Sequence, residues 1–132
     1  MWIVADNFSK KVAPLESRLD KIYIDAFSEG LPLFVQKWHS NLSMAPNTAI
    51  WGAGAKGTMF VNYVDNKNEK LIKAVVDINK NKQKRFIGKT GHVIISPEEI
   101  PNRGIKRIIS ANPNYTEEIR AMVDKTIEIV NL

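Results

Sequence analysis

Ile50-Trp51-Gly52-Ala53-Gly54-Ala55-Lys56-Gly57 contains a complete G-x-G-x-x-G, and Asp77 follows the last glycine by twenty positions. That spacing belongs to a nucleotide-binding βαβ unit, in which each residue has a physical job. Gly52 allows the tight turn out of a strand, and Gly54 lets the backbone approach a phosphate closely. Gly57 lets the following helix pack against the sheet. The helix start then offers unpaired N–H groups and a partial positive charge to an anion. Ala53 lies within the turn and Lys56 follows it, so both join the candidate binding residues.

The flanks support a strand–turn–helix. Thr48–Trp51 is a short apolar run leading into the turn, and Ala55–Tyr63 repeats at helical period, with Met59, Phe60 and Tyr63 available to a sheet. Lys73–Ile78 contains Ala74-Val75-Val76, a buried type of strand, and ends beside Asp77. Asn79–Gly91 is polar and basic and reads as a loop, followed by a short strand at His92–Ile95. Ser96-Pro97-Glu98-Glu99 has the serine and proline of a helix start. Ile105–Ala111 reads as a third main strand. A last helix follows from Asn112 or Asn114, burying Ile119, Met122, Val123, Ile127 and Val130 and ending near the C-terminus. Upstream, Leu15, Leu19, Ile22, Tyr23, Ala26 and Phe27 form one helical stripe that Gly30 is expected to stop. Pro32 is expected to start a second helix bearing Phe34, Val35, Trp38 and Leu42 and ending near Met44.

Strands alternating with helices predict an α/β fold, a Rossmann-like three-layer domain. Its small parallel sheet is expected to have about four strands, preceded by two extra N-terminal helices. Residues 1–46 read as a helical lead-in and 47–132 as the nucleotide-binding part of one compact unit. Ligands of such sheets bind beyond the carboxyl ends of the strands, where the strand order reverses. That rule selects Gly52–Gly57, Asp77–Asn79 and Asn112–Tyr115.

Composition narrows the chemistry. The 132 residues are 44% hydrophobic and 25% charged, which is ordinary for a globular domain. The absence of cysteine excludes disulfides, thiolate zinc sites and cysteine nucleophiles. No signal-peptide core or bilayer-length apolar run is visible, so a cytoplasmic location without a membrane partner is expected. The net charge of +5 gathers partly in Lys80, Lys82, Lys84, Arg85 and Lys89, a run without an acid. Such a run either attracts an anionic ligand or stays solvated. No recognition motif or aromatic stripe accompanies it, so a nucleic-acid partner is not expected.

Each candidate has a structural reading beside its functional one. Lys56 neutralises a phosphate or remains solvated, opposing the helix dipole by ~0.3–1 kcal/mol when no anion is present. Asp77 accepts ribose hydroxyls or caps the neighbouring turn, and as an acid it disfavours a 2′-phosphate, pointing away from NADP. Asn79 is first a turn former. Asn112 and Asn114 are helix caps, and Tyr115 stacks on a base or packs under the sheet. His39 reads as a surface or half-buried residue and His92 as loop structure, and Ser96 reads as a cap because no base serves it. No metal-ligand spacing and no nucleophile–base set can be assembled. The sequence therefore predicts binding without catalysis by this chain alone.

Five blocks in order carry a resemblance: Trp51-Gly-Ala-Gly-Ala-Lys-Gly57, Val76-Asp-Ile-Asn79, Phe86-Ile-Gly-Lys-Thr-Gly-His92, Ser96-Pro-Glu-Glu99 and Asn112-Pro-Asn-Tyr-Thr-Glu-Glu-Ile119. Together they resemble the C-terminal domain of the sugar C-methyltransferases, which depend on S-adenosylmethionine. The resemblance covers about two-thirds of the chain, from Ala49 onward. It implies a Rossmann-like module that holds a nucleotide sugar, with the zinc-binding segment, methyl donor and catalytic base in other domains. On that reading Gly52, Ala53, Gly54, Lys56, Gly57, Asp77 and Asn79 bind the nucleotide, and Arg85, Lys89, Asn112 and Tyr115 contact the substrate. S-adenosylmethionine enters only through a further domain. The expected partners are a nucleotide sugar and either a methyltransferase domain or a second copy of the chain. One departure is Ile87, where relatives often carry proline, which leaves the loop's rigidity and its ligand contact open. Two rival readings remain: an NAD-binding module or small oxidoreductase subunit, and a docking domain with a vestigial site, using Trp2, Phe34 and Trp38.

Overall fold

The computed structural model describes residues 18–66 and 69–132. The chain divides into two units, Met1–Phe34 and Val35–Leu132. In the second, a five-stranded parallel sheet is built from β1 (Thr48–Trp51), β2 (Ile72–Val76), β3 (Ile94–Ile95), β4 (Arg107–Ser110) and β5 (Glu128–Asn131). Their order is β3-β2-β1-β4-β5, so the direction of winding reverses between β1 and β4. That is the Rossmann order, and it opens a crevice at the carboxyl ends of those two strands.

Helix α2 (Ala55–Val64) makes the crossover from β1 to β2, and α3 (Thr116–Met122) the crossover from β4 to β5. Two apolar clusters fill the sheet's two faces. One joins Ile50, Val75 and Ile109 to Phe60, Val61 and Val64 of α2 and to Leu42. The other joins Trp51, Val76 and Ile108 to Ile119 of α3 and to Ile100 and Ile105. Fully burying each such aliphatic side chain contributes roughly 1.5–3 kcal/mol. β1 is buried at all four positions because both of its faces are covered.

Several expectations are corrected. The two leading helices are one in the described part: α1 spans Arg18–Met44 with Pro32 inside it, and neither Gly30 nor Pro32 interrupts it. Proline forfeits one backbone hydrogen bond, but its fixed φ is itself helical, so it does not force the chain out of the helix. Within the second unit, Trp38 meets Phe60 edge-to-face at a centroid distance of 5.2 Å, and Leu42 is buried, which anchors the end of α1. Trp38 therefore packs against the core while staying partly exposed. Trp2 and the side chains of the Leu15–Phe27 stripe lie outside the described residues.

The last helix is shorter than its periodicity suggested. α3 ends at Met122, and Val123 is extended at φ −118°, ψ 158°. Asp124 then accepts from the Thr126 N–H and hydroxyl at 2.8 and 2.6 Å, turning the chain into β5. Ile129 thus belongs to a fifth strand and Ile127 to the turn just before it, and both reach the core without continuing the helix. On α2, Phe60 is buried as expected, but Met59 and Tyr63 are exposed.

Among the described residues, no helix is long and apolar enough to cross a membrane.

Candidate functional site

The glycine turn has the geometry its sequence demands. Gly52 sits at φ +107°, a region that side-chain-bearing residues rarely occupy. Its N–H donates to the Val76 carbonyl at 2.7 Å, and the Ala111 N–H donates to the Trp51 carbonyl at 3.2 Å, fixing the turn between β2 and β4. A Cβ on Gly57 would fall on the Gly52 carbonyl oxygen, so only glycine lets α2 start this close to β1. Gly54 differs. It caps α2 at an ordinary φ of −88°, and a Cβ there would meet nothing within 4 Å. Its missing side chain leaves open space beside the first N–H groups of the helix.

That space belongs to a cavity of about 510 Å³ over the carboxyl ends of the strands. The three segments selected from sequence meet there. Gly52, Gly54, Lys56 and Gly57 form one wall, Asp77 another, and Asn112 and Tyr115 a third. Trp51, Ala111, Ile78 and Met122 supply apolar lining. Two cations, Lys56 and Lys82, face the cavity with two acids, Asp77 and Glu118. No acid occupies the first turn of α2, so nothing from its own helix offsets the dipole or Lys56 there.

Asp77 is buried and heavily engaged. Its Oδ2 accepts the Ala53 N–H at 2.8 Å and lies 3.3 Å from Lys82 Nζ, and its Oδ1 accepts the Asn79 N–H at 2.9 Å. Ala53 therefore acts through its backbone, without lining the cavity. Asn79 does not line it either: its Oδ1 accepts the Asn81 N–H at 3.0 Å, and its carbonyl accepts the Lys82 N–H at 2.9 Å. Asn112 accepts the Asn114 N–H at 3.1 Å, capping the short 3₁₀ turn Pro113–Tyr115. Tyr115 is half exposed at the cavity's rim, rather than packed under the sheet.

The basic loop divides. Lys82 reaches the cavity, whereas Arg85 and Lys89 do not line it. The Arg85 carbonyl accepts the Ile94 N–H at 2.8 Å, and Lys89 Nζ donates to the Asn62 carbonyl at 3.3 Å. The loop is pinned between them. Ile87 is buried and donates its N–H to the His92 carbonyl at 2.8 Å, a bond that a proline at this position could not make.

His92 is not loop filler. It is buried, and its Nε2–H donates to Asp65 Oδ2 at 2.8 Å. Asp65, at the end of α2, also accepts from the Glu69 N–H at 2.8 Å and the Ile72 N–H at 3.1 Å. This carboxylate ties α2, the start of β2 and the basic loop together. No motif or spacing signals it, because its ring partner, His92, lies 27 residues away. His39 is half-buried and pairs with Glu69 at 2.9 Å, as a surface histidine is expected to do. At Ser96 the backbone N–H donates to Glu99 Oε1 at 3.2 Å, closing the start of the short 3₁₀ turn Pro97–Glu99. The Ser96 hydroxyl holds the neighbouring Glu98 carboxyl below its usual range, and the Ser96 N–H followed by Arg103 does the same for Glu99. No group of three or more metal-ligating side chains gathers among the described residues.

Two solved structures are similar in fold. A Rex-family repressor, RSP, is 20% identical with a TM-score of 0.49, over 70% of this chain and 55% of that one. RSP in complex with beta-NADH is 22% identical with a TM-score of 0.45, over 66% and 53%. This chain thus spans about half the length of those proteins. No curated protein matches it. Residues 34–129, spanning four strands and the start of the fifth, the glycine turn and every wall of the cavity, match the profile of one family, and the chain belongs to it: the C-methyltransferase C-terminal domain.

Proposed function

We propose that this domain holds a nucleotide sugar for a C-methyltransferase, gripping the diphosphate at the glycine turn, while the methyl transfer is performed by other parts of the enzyme. The observation that carries this reading is the open face at Gly54. Helix N–H groups, Lys56 and Lys82 surround a space that no side chain of the turn fills. The apolar lining from Ile78, Tyr115 and Met122 suits a base or the sugar's carbon face, and Asn112 suits a hydroxyl. S-adenosylmethionine belongs with the transferring domain on this reading.

Calorimetry against dTDP-, UDP- and CDP-sugars, NAD(H), NADP(H) and S-adenosylmethionine tests it. A nucleotide sugar is expected to bind best. Gly54→Ala keeps an allowed φ and meets no neighbour, so it should leave the melting temperature unchanged. Its methyl group should nevertheless cost about tenfold or more in affinity, by standing where the phosphate approaches. Preference for NAD(H) would instead favour a dinucleotide module, the reading to which Asp77's position lends itself. Silence across the panel would favour a docking domain.

A further inference from the structure

Asp77 stands where a dinucleotide fold uses an acid to hold ribose hydroxyls. Here most of its lone pairs are already engaged. A carboxylate offers about four acceptor sites, and donors from Ala53, Lys82 and Asn79 occupy three of those on Asp77. The side chain is only 10% exposed.

Lys82 is the reverse case. Its ammonium touches the Ala53 carbonyl at 3.2 Å and Asp77 Oδ2 at 3.3 Å. Both contacts are long for charge-assisted bonds, which run about 2.7–2.9 Å. A lysine has three donors, so at least one is left over, and 41% of the side chain is exposed, at the cavity wall. Its aim is set by the backbone. Asn79 accepts the N–H groups of Lys82 and Gln83 at 2.9 and 3.3 Å, while Gln83 Nε2 donates to the Asp77 carbonyl at 2.9 Å. This closed turn directs Lys82 back onto the glycine turn, while Lys80, Lys84, Arg85 and Lys89 of the same run stay off the cavity.

We propose that Lys82, and not Asp77, is the ligand-reading group on this side of the cavity. Its free donor takes a phosphate oxygen of a nucleoside diphosphate, opposite Lys56 and the start of α2. Asp77 positions Lys82 and the turn and does not read the ribose 2′-hydroxyl. The domain therefore accepts ribo- and 2′-deoxyribonucleotides alike. This inference rests on the nucleoside-diphosphate reading of the site.

The test is calorimetry with UDP, 2′-deoxy-UDP and uridine on the full chain, as wild type, Lys82→Ala and Lys82→Arg. The two diphosphates should bind the wild type within about twofold of each other. Lys82→Ala should weaken both by about tenfold or more, the scale of one hydrogen bond to a charged group. It should leave uridine affinity and the melting temperature unchanged, and flatten the salt dependence of diphosphate binding. Lys82→Arg should retain most of the affinity. A purely structural lysine would lower the melting temperature and weaken uridine and UDP together, which overturns the proposal. So would a Lys82→Ala variant that binds UDP as the wild type does, or a tenfold preference for UDP over its deoxy form. Wild type that binds a nucleotide sugar but fails these comparisons sinks only the role of Lys82. Wild type that binds neither diphosphate nor nucleotide sugar removes the underlying reading and this one together.

Discussion

The glycine turn at 52–57 and the basic loop at 79–91 are both rich in residues that suit an anion, yet they are built on opposite principles. In the turn, backbone needs fix two of the glycines, Gly52 by its positive φ and Gly57 by a contact no Cβ would permit, while Gly54 leaves an open face. In the loop, positive charge is abundant but position is set by contacts made elsewhere. Asn79 and Gln83 hold one end against Asp77, and His92 ties the other end to Asp65. Of the loop's five cations, only Lys82 lines the cavity. Clustered charge therefore says little about a site until the turns that aim it are known.

The sharpest way to break this contrast is to remove each region's anchor. Asp65→Ala would leave the Glu69 and Ile72 N–H groups and the His92 ring without their acceptor. Unsatisfied buried donors cost about 1–3 kcal/mol each, so a loss of roughly 3 kcal/mol or more is expected in urea unfolding. A midpoint equal to the wild type's would mean that the loop is held by other contacts. Gly57→Ala comes next. Its methyl group must displace backbone, and about 3 kcal/mol of destabilisation should follow, lowering the melting temperature on the order of 10 °C. A variant melting as the wild type does would show that the turn can relax. The smallest effect sharpens the comparison. Arg85→Ala combined with Lys89→Ala should change nucleoside-diphosphate affinity by less than about threefold at physiological salt, since exposed charges off the site act only through a screened field. A tenfold loss would bring the whole loop into the site.

What was legible in the sequence follows the same division. β1, the turn and the start of α2 are fixed by local rules, although Met59 and Tyr63 further along the helix face solvent rather than the sheet. The Asn112 cap was equally local, with donor and acceptor two residues apart. Apolar spacing was a weaker guide where periods compete. The stretch from Ile119 to Val130 fits a helical stripe as well as a short helix followed by an alternating strand. The Asp124–Thr126 turn, rather than the stripe, decides between them. Gly30 and Pro32 read as punctuation because their local preferences are strong, yet α1 runs through both.

The sequence alone determined the α/β alternation, the glycine-rich turn and the three segments that converge on the crevice, because each depends on backbone conformation and on contacts within a few residues. Only the tertiary structure decided that Asp77 is already hydrogen-bonded, that Lys82 rather than Arg85 or Lys89 faces the cavity, and that Asp65 and His92 form a buried pair across 27 residues. Those outcomes depend on which side chains the parallel sheet brings together, and a contact between distant segments leaves no period or spacing in the chain to announce it.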